Sequence, residues 1–88
     1  MGPQWTRRIR KRRRHYPNRI RTYRLRQNMR QRELAVLVRV SRATISAWEG
    51  GERLPRSRNL FRLSKALSTL IESLYPTFYG IRDIRDVF

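Results

Sequence analysis

QRELAVLVRVSRATISAWEGG, residues 31–51, holds two short apolar-periodic segments separated by a brief run around Val40 and Ser41. In the first, Leu34, Leu37 and Val38 stand at i, i+3 and i+4, the spacing of one helical face. Ala35, beside them, is small enough to let a neighbouring helix approach. Ser41 is a good N-cap for the second segment, although Thr44 stands where a full capping box has Glu. Gly50 and Gly51 stop that helix. At about 100° per residue, Thr44, Ile45 and Trp48 share one sector and Arg42, Ala43, Ser46 and Ala47 lie opposite. One face is bulky and apolar. The other is small, polar and tipped with a single arginine. A solvated face more often carries Glu, Lys and Gln, so this low profile suits close approach to another surface.

The pattern extends on both sides. From Arg19, RIRTYRLRQN places Ile20 and Tyr23 on one helical face, and Asn28 suits its terminus because Asn enters the left-handed region cheaply. ERLPRSRN reads as a basic loop. Ser57 or Asn59 opens a fourth helix with Leu60, Leu63, Ala66, Leu67 and Leu70 apolar. A short turn around 71–75 ends before Pro76. The expected fold is all-α: a compact four- to five-helix bundle over residues 19–75. A basic arm (1–18), expected to be flexible, precedes it and an aromatic tail (76–88) follows. Trp48 is expected to be the largest buried side chain, packed against Leu34, Val38 and Leu63.

Composition restricts the chemistry. The chain has 88 residues, formal charge +16, no cysteine and one histidine. No metal cluster, cofactor site, or nucleophile-and-base set can be assembled from its few acids and its lone His15, so an enzyme is not expected. No apolar run reaches membrane-spanning length. The charge is concentrated: residues 1–32 contain no acid, and Arg7, Arg8, Arg10, Lys11, Arg12, Arg13 and Arg14 crowd the stretch RRIRKRRR. The opening formally fits an N-myristoylation pattern through Thr6, but Pro3 and the absence of other anchor signals argue against it. No apolar h-region supports a secretory signal. An Arg-rich, acid-free leader is also compatible with an organellar transit peptide, yet an arm touching a polyanion fits better.

A polyanion with a major groove suits the small face. Arg42 can fork to guanine, Ser46 can bond a base edge, and Ala43 and Ala47 can touch a thymine methyl. From Ile20 to about Leu74 the chain resembles the Cro/repressor-type (Xre), lambda-repressor-like helix-turn-helix domains. The matching residues are Arg24, Met29, Arg30, Gln31, Glu33, Leu34 and Ala35, then Val40, Ser41, Thr44, Ile45, Ser46, Trp48, Glu49 and Gly51. Pro55, Leu63, Ser64, Ala66 and Leu67 complete them. The resemblance implies that Gln31 braces against a phosphate, that the helix of residues 42–49 enters the major groove, and that Arg24 pairs with Glu49. The chain departs from the family where Arg39 replaces a turn glycine, a position that commonly needs positive φ. It departs again where Gly50 replaces a phosphate-contacting Asn, leaving only a backbone N–H. Arg30 and Arg32 add charge near the start of the second helix.

The expectation is sequence-specific binding of double-stranded DNA by a small transcriptional repressor of bacterial, phage or mobile-element origin, cytoplasmic and nucleoid-associated. Arg30, Arg39, Arg53, Arg56 and the arm would contact phosphates. Two other readings compete: an antitoxin-like or assembly-recruited interaction protein with a protein partner, and an RNA-binding protein. The tail either folds back on the core or forms a homodimer contact through Tyr75, Phe78, Tyr79 and Phe88.

Overall fold

The computed structural model describes residues 15–79. Among them are six helices and no strands: α1 (Ile20–Arg26), α2 (Gln31–Val38), α3 (Arg42–Glu49), α4 (Ser57–Ala66) and two single turns, α5 (Ile71–Leu74) and α6 (Pro76–Tyr79). The residues that gave the arm its charge, Arg7–Arg14, lie outside the described residues, as does Phe88.

The core draws on every helix from α1 to α5. Ile20, Leu34, Ala35, Val38, Ile45, Trp48, Leu60, Leu63, Leu67, Leu74 and Tyr75 form one buried cluster, with Tyr23, Met29, Val40 and Leu54 packed on it. Trp48 is the bulkiest member and shares the cluster with Leu34, Val38 and Leu63. Leu37, expected on the apolar face of α2, is instead 55% exposed. The inward stripe there is Leu34, Ala35 and Val38, and Leu37 lies about 100° round from its centre. Leu70 is also exposed. It was expected to extend the stripe of α4, but that helix closes at Ala66 and Leu70 occupies the N-cap position of α5.

One device ends each of the four longer helices. Asn28, Arg39, Gly51 and Ser68 have φ of 57°, 67°, 76° and 51°. In each case the following residue closes a six-to-one bond: Met29 N to Arg24 O, Val40 N to Ala35 O, Glu52 N to Ala47 O, and Thr69 N to Ser64 O. These are Schellman closures, in which a left-handed residue lets the chain satisfy helix-end carbonyls and reverse. Only one of the four uses glycine. At the turn joining α2 to α3, Arg39 (φ 67°, ψ 47°) takes the left-handed geometry that a glycine would otherwise supply.

The start of α3 is fixed by Ser41, whose Oγ accepts from Thr44 N at 3.1 Å. The Ser41 and Thr44 hydroxyls also bond each other at 2.8 Å, so Thr44 contributes to the cap by a route other than a capping-box carboxylate. At α2, Glu33 Oε1 accepts from the Arg30 backbone N–H at 2.7 Å. An acid in the first turn also suits the helix dipole.

Residues on both sides of the helical unit make contacts with it. His15–Asn18, assigned to the arm by their basic context, belong to the folded unit. His15 N and Tyr16 N donate to Gly51 O, each at 3.1 Å. Asn18 Oδ1 accepts from Ile20 N at 3.1 Å, an Asx-type turn that launches α1. At the other end, the start of the tail is helical, and the Phe78 ring lies 5.9 Å from Tyr16 and 6.4 Å from Tyr75. Tyr75 is fully buried, which removes it from the surface that was expected to pair two copies. Its ring completes the core instead.

Candidate nucleic-acid interface

Within the α2–turn–α3 pair, α3 carries the small polar face outward. Arg42, Ala43 and Ser46 are exposed along α3, Ala47 is half-buried beside them, and Ile45 and Trp48 are sunk on the opposite side. The helix therefore stands on its apolar face and projects its small residues outward.

Behind that face lies a buried ion pair. Arg24 Nε donates to Glu49 Oε2 at 2.6 Å, and Arg24 Nη2 donates to Glu49 Oε1 at 3.2 Å. The residues are 7% and 8% exposed. A third guanidinium donor, Nη1, reaches Met29 O at 2.8 Å. One arginine thus ties α1, the α1–α2 turn and the end of α3 together. A carboxylate at a helix C-terminus opposes the helix dipole, and Arg24 compensates for that.

Gln31 extends the pair towards the surface. Its Nε2 donates to Glu49 Oε1 at 3.0 Å, and its Oε1 accepts from Arg42 Nη1 at 3.3 Å. The chain Arg24–Glu49–Gln31–Arg42 runs from the interior to the exposed face. In this state the half-buried Gln31 amide is engaged at both ends, one of them the arginine at the head of α3.

Clefts open beside α3. One, of about 720 Å³, is lined by Arg21, Arg30, Arg32 and Arg42 over a floor that includes Arg24, Met29 and Glu49. Another, of about 470 Å³, lies past the C-terminal end of α3 and is lined by Tyr16, Trp48, Pro55, Arg53 and Arg56. Arg30, Arg39, Arg53 and Arg56 are all exposed. The structure gathers Arg30 with Arg42 and Gln31, and Arg53 with Arg56. The Gly50 N–H, left as a free donor in the sequence reading, is taken up by Ser46 O at 2.9 Å.

Arg21 was not anticipated. It lines both the large cleft and a smaller one shared with Gln31, Ser46 and Glu49. Asn18 was missed as well: its Nδ2 donates to Trp48 O at 2.7 Å, at the end of α3. The Pro-Asn pair before a helical pattern was its sequence signal. Among the described residues, no group of three or more His, Cys, Asp or Glu could hold a metal ion. None of their helices is long and apolar enough to cross a membrane.

Two helices joined by a tight left-handed turn, the second standing on a buried Trp and exposing a small polar face, define a helix-turn-helix domain. A helix-turn-helix family model matches residues 20–73, and the chain belongs to the Cro/C1-type, Xre-like helix-turn-helix family. The match covers the unit from the first residue of α1 into α5. No match was found among curated proteins. Membership makes this a DNA-binding domain of the transcription-regulator type.

Proposed function

We propose that the protein is a sequence-specific repressor that reads duplex DNA through Arg42, Ala43, Ser46 and Ala47 of α3. The observation that carries this reading is the polar chain from Arg24 to Arg42. It presents one long base-reading donor on an otherwise small face, with Arg21, Arg30 and Arg32 around it to meet phosphates. Base edges specify and phosphates position, and the two sets of residues here are spatially adjacent. Arg39, Arg53, Arg56 and the cations of residues 7–14 supply further phosphate contacts, and Gln31 exchanges its Arg42 bond for a phosphate on binding. Repression by occupying the site needs no effector pocket. A bacterial, phage or mobile-element setting, and a cytoplasmic, nucleoid-associated location, fit this role.

The test is selection of bound sequences from random duplex DNA. A reproducible consensus is expected. Equal retention of all sequences would remove the specificity claim, and preference for structured RNA over duplex DNA would favour the RNA-binding reading. A palindromic consensus would also report a dimer.

One observation favours a second reading, a protein partner of the antitoxin kind. Val36, Leu37, Phe61 and Leu70 are large apolar side chains left exposed. Co-purification of a second small protein with the full chain would support it.

A further inference from the structure

The residues just before α1 close on the C-terminal end of α3. His15 N and Tyr16 N donate to Gly51 O, each at 3.1 Å. Asn18 engages its whole amide. Its Nδ2 donates to Trp48 O at 2.7 Å and to Tyr16 O at 3.0 Å, while Oδ1 accepts from Ile20 N at 3.1 Å. The last carbonyls of a helix lack partners within it, so they are open to outside support of this kind. Tyr16 anchors the segment in turn, packed on the core and meeting the Phe78 ring at 5.9 Å. One side chain thus joins the start of α1 to the end of α3. The Arg24–Glu49 pair holds that end of α3 by a side chain; Asn18 holds it by the backbone.

The outward face of α3 makes backbone placement matter. Arg42 is long and can re-aim its guanidinium if the helix tilts. Ala43, Ser46 and Ala47 are short and go wherever the backbone carries them. A binding constellation tolerates misplacement of only roughly 0.5 Å. Ser46 and Ala47 immediately precede Trp48, whose carbonyl Asn18 holds, and Asn18 lines one small cleft together with Ser46. Arg42 stands at the other end of the helix, beside the Ser41 cap and 3.3 Å from Gln31 Oε1.

We propose that Asn18 is a positioning residue for base reading. Through its bond to Trp48 O it sets how closely the C-terminal half of α3 approaches the base edges, so that Ser46 and Ala47 reach them. Arg42 reads its base independently of this brace. The inference rests on the reading that α3 lies in the major groove, and it adds a residue outside the contact face that decides specificity on it.

Selection from random duplex DNA, run side by side on the full chain and its variants, tests the brace. Arg42→Ala and Ser46→Ala identify which base pairs of the consensus each residue reads. Asn18→Asp keeps the oxygen that starts α1 and loses both N–H donors. Asn18→Ser is the uncharged counterpart, too short to reach Trp48 O. Either side chain can still bond the backbone two residues on, so both variants are expected to stay folded, as urea unfolding would show. In both, preference at the base pairs read by Ser46 is expected to fall by roughly five-fold while preference at the Arg42 base pair stands. The added charge of Asp repels phosphates on every sequence alike, so it lowers affinity without reshaping the profile. Folded variants with an unchanged profile, or one flattened equally at the Arg42 and Ser46 base pairs, would overturn the positioning role and leave base reading by α3 standing. Unfolding of both variants would assign Asn18 to the fold alone and overturn that role as well. A full chain that selects no consensus, or one that neither Arg42→Ala nor Ser46→Ala alters, would remove base reading by α3 and the role of Asn18 with it.

Discussion

Glu49 accepts two hydrogen bonds from Arg24, the shorter at 2.6 Å, although the two residues lie on different helices and both are buried. A buried pair of this kind adds little net stability relative to well-packed apolar residues, but losing one partner strands the other charge in the interior. Glu49→Ala is expected to destabilise the domain by about 3–5 kcal/mol in urea unfolding. The double substitution Arg24→Met with Glu49→Leu should recover most of that loss. DNA affinity should not recover with it, because Gln31 loses the carboxylate that holds it beneath Arg42. Recovery of both would mean that the pair serves the fold alone.

Arg42 is the one long side chain on the small face of α3. Arg42→Ala is expected to cost about 1–3 kcal/mol on the selected site and much less on random duplex, as for loss of a base contact. Titrations on the two DNAs at matched salt measure the difference. An equal loss on both would assign Arg42 to phosphate.

Arg39 and Ser68 offer a paired comparison. Both hold left-handed geometry without being glycine, so substitution by glycine is expected to raise stability by up to about 1 kcal/mol at either position. Arg39 lies in the turn before α3, where a phosphate contact is proposed. Arg39→Gly should therefore weaken DNA binding and lower its salt dependence, whereas Ser68→Gly should leave binding unchanged. Identical binding by the two variants would show that Arg39 has no role on DNA.

Trp48→Ala should cost about 3–5 kcal/mol, enough to unfold a domain this small under ordinary conditions. With Trp5 replaced by Phe, the Trp48 fluorescence of the intact fold should resist iodide. Ready quenching would contradict its burial in the core.

Deleting residues 1–14 removes the seven cations of the arm while leaving the His15 and Tyr16 bonds to Gly51 in place. If about four of the seven engage phosphates, the slope of log K against log salt should flatten by roughly 3–4 units. The loss should be similar on selected and random duplex. An unchanged slope would show that the arm is not a DNA contact.

The helices were legible in the sequence because their periods and stops are local. Ser41 before Thr44, the paired glycines after Glu49, and the leucine spacing of α4 all act within a turn or two. The two-faced character of α3 was legible for the same reason. The failures came where tertiary partners decide. Leu37 met the spacing rule, but Ala35 lets the core approach on its own side and leaves Leu37 in solvent. Arg21 gave no signal because a single helix does not reveal which neighbour its flank will face. Asn18 was hidden within a basic context that read as arm, although its role is to bind a carbonyl 30 residues away. Gln31 was placed at the head of α2, but the bonds that occupy both ends of its amide come from α3.

The Tyr16 and Phe78 rings meet at 5.9 Å, so the two ends of the folded unit share one corner. Polypeptide continuing before His15 and polypeptide continuing after Tyr79 set out from neighbouring points. Short tethers of this kind hold their cargo at effective concentrations in the millimolar range. A module joined to either end is thereby presented to whatever the other end carries. A donor and an acceptor fluorophore placed at the two ends of the folded unit would start from high transfer efficiency, and unfolding would register as its loss.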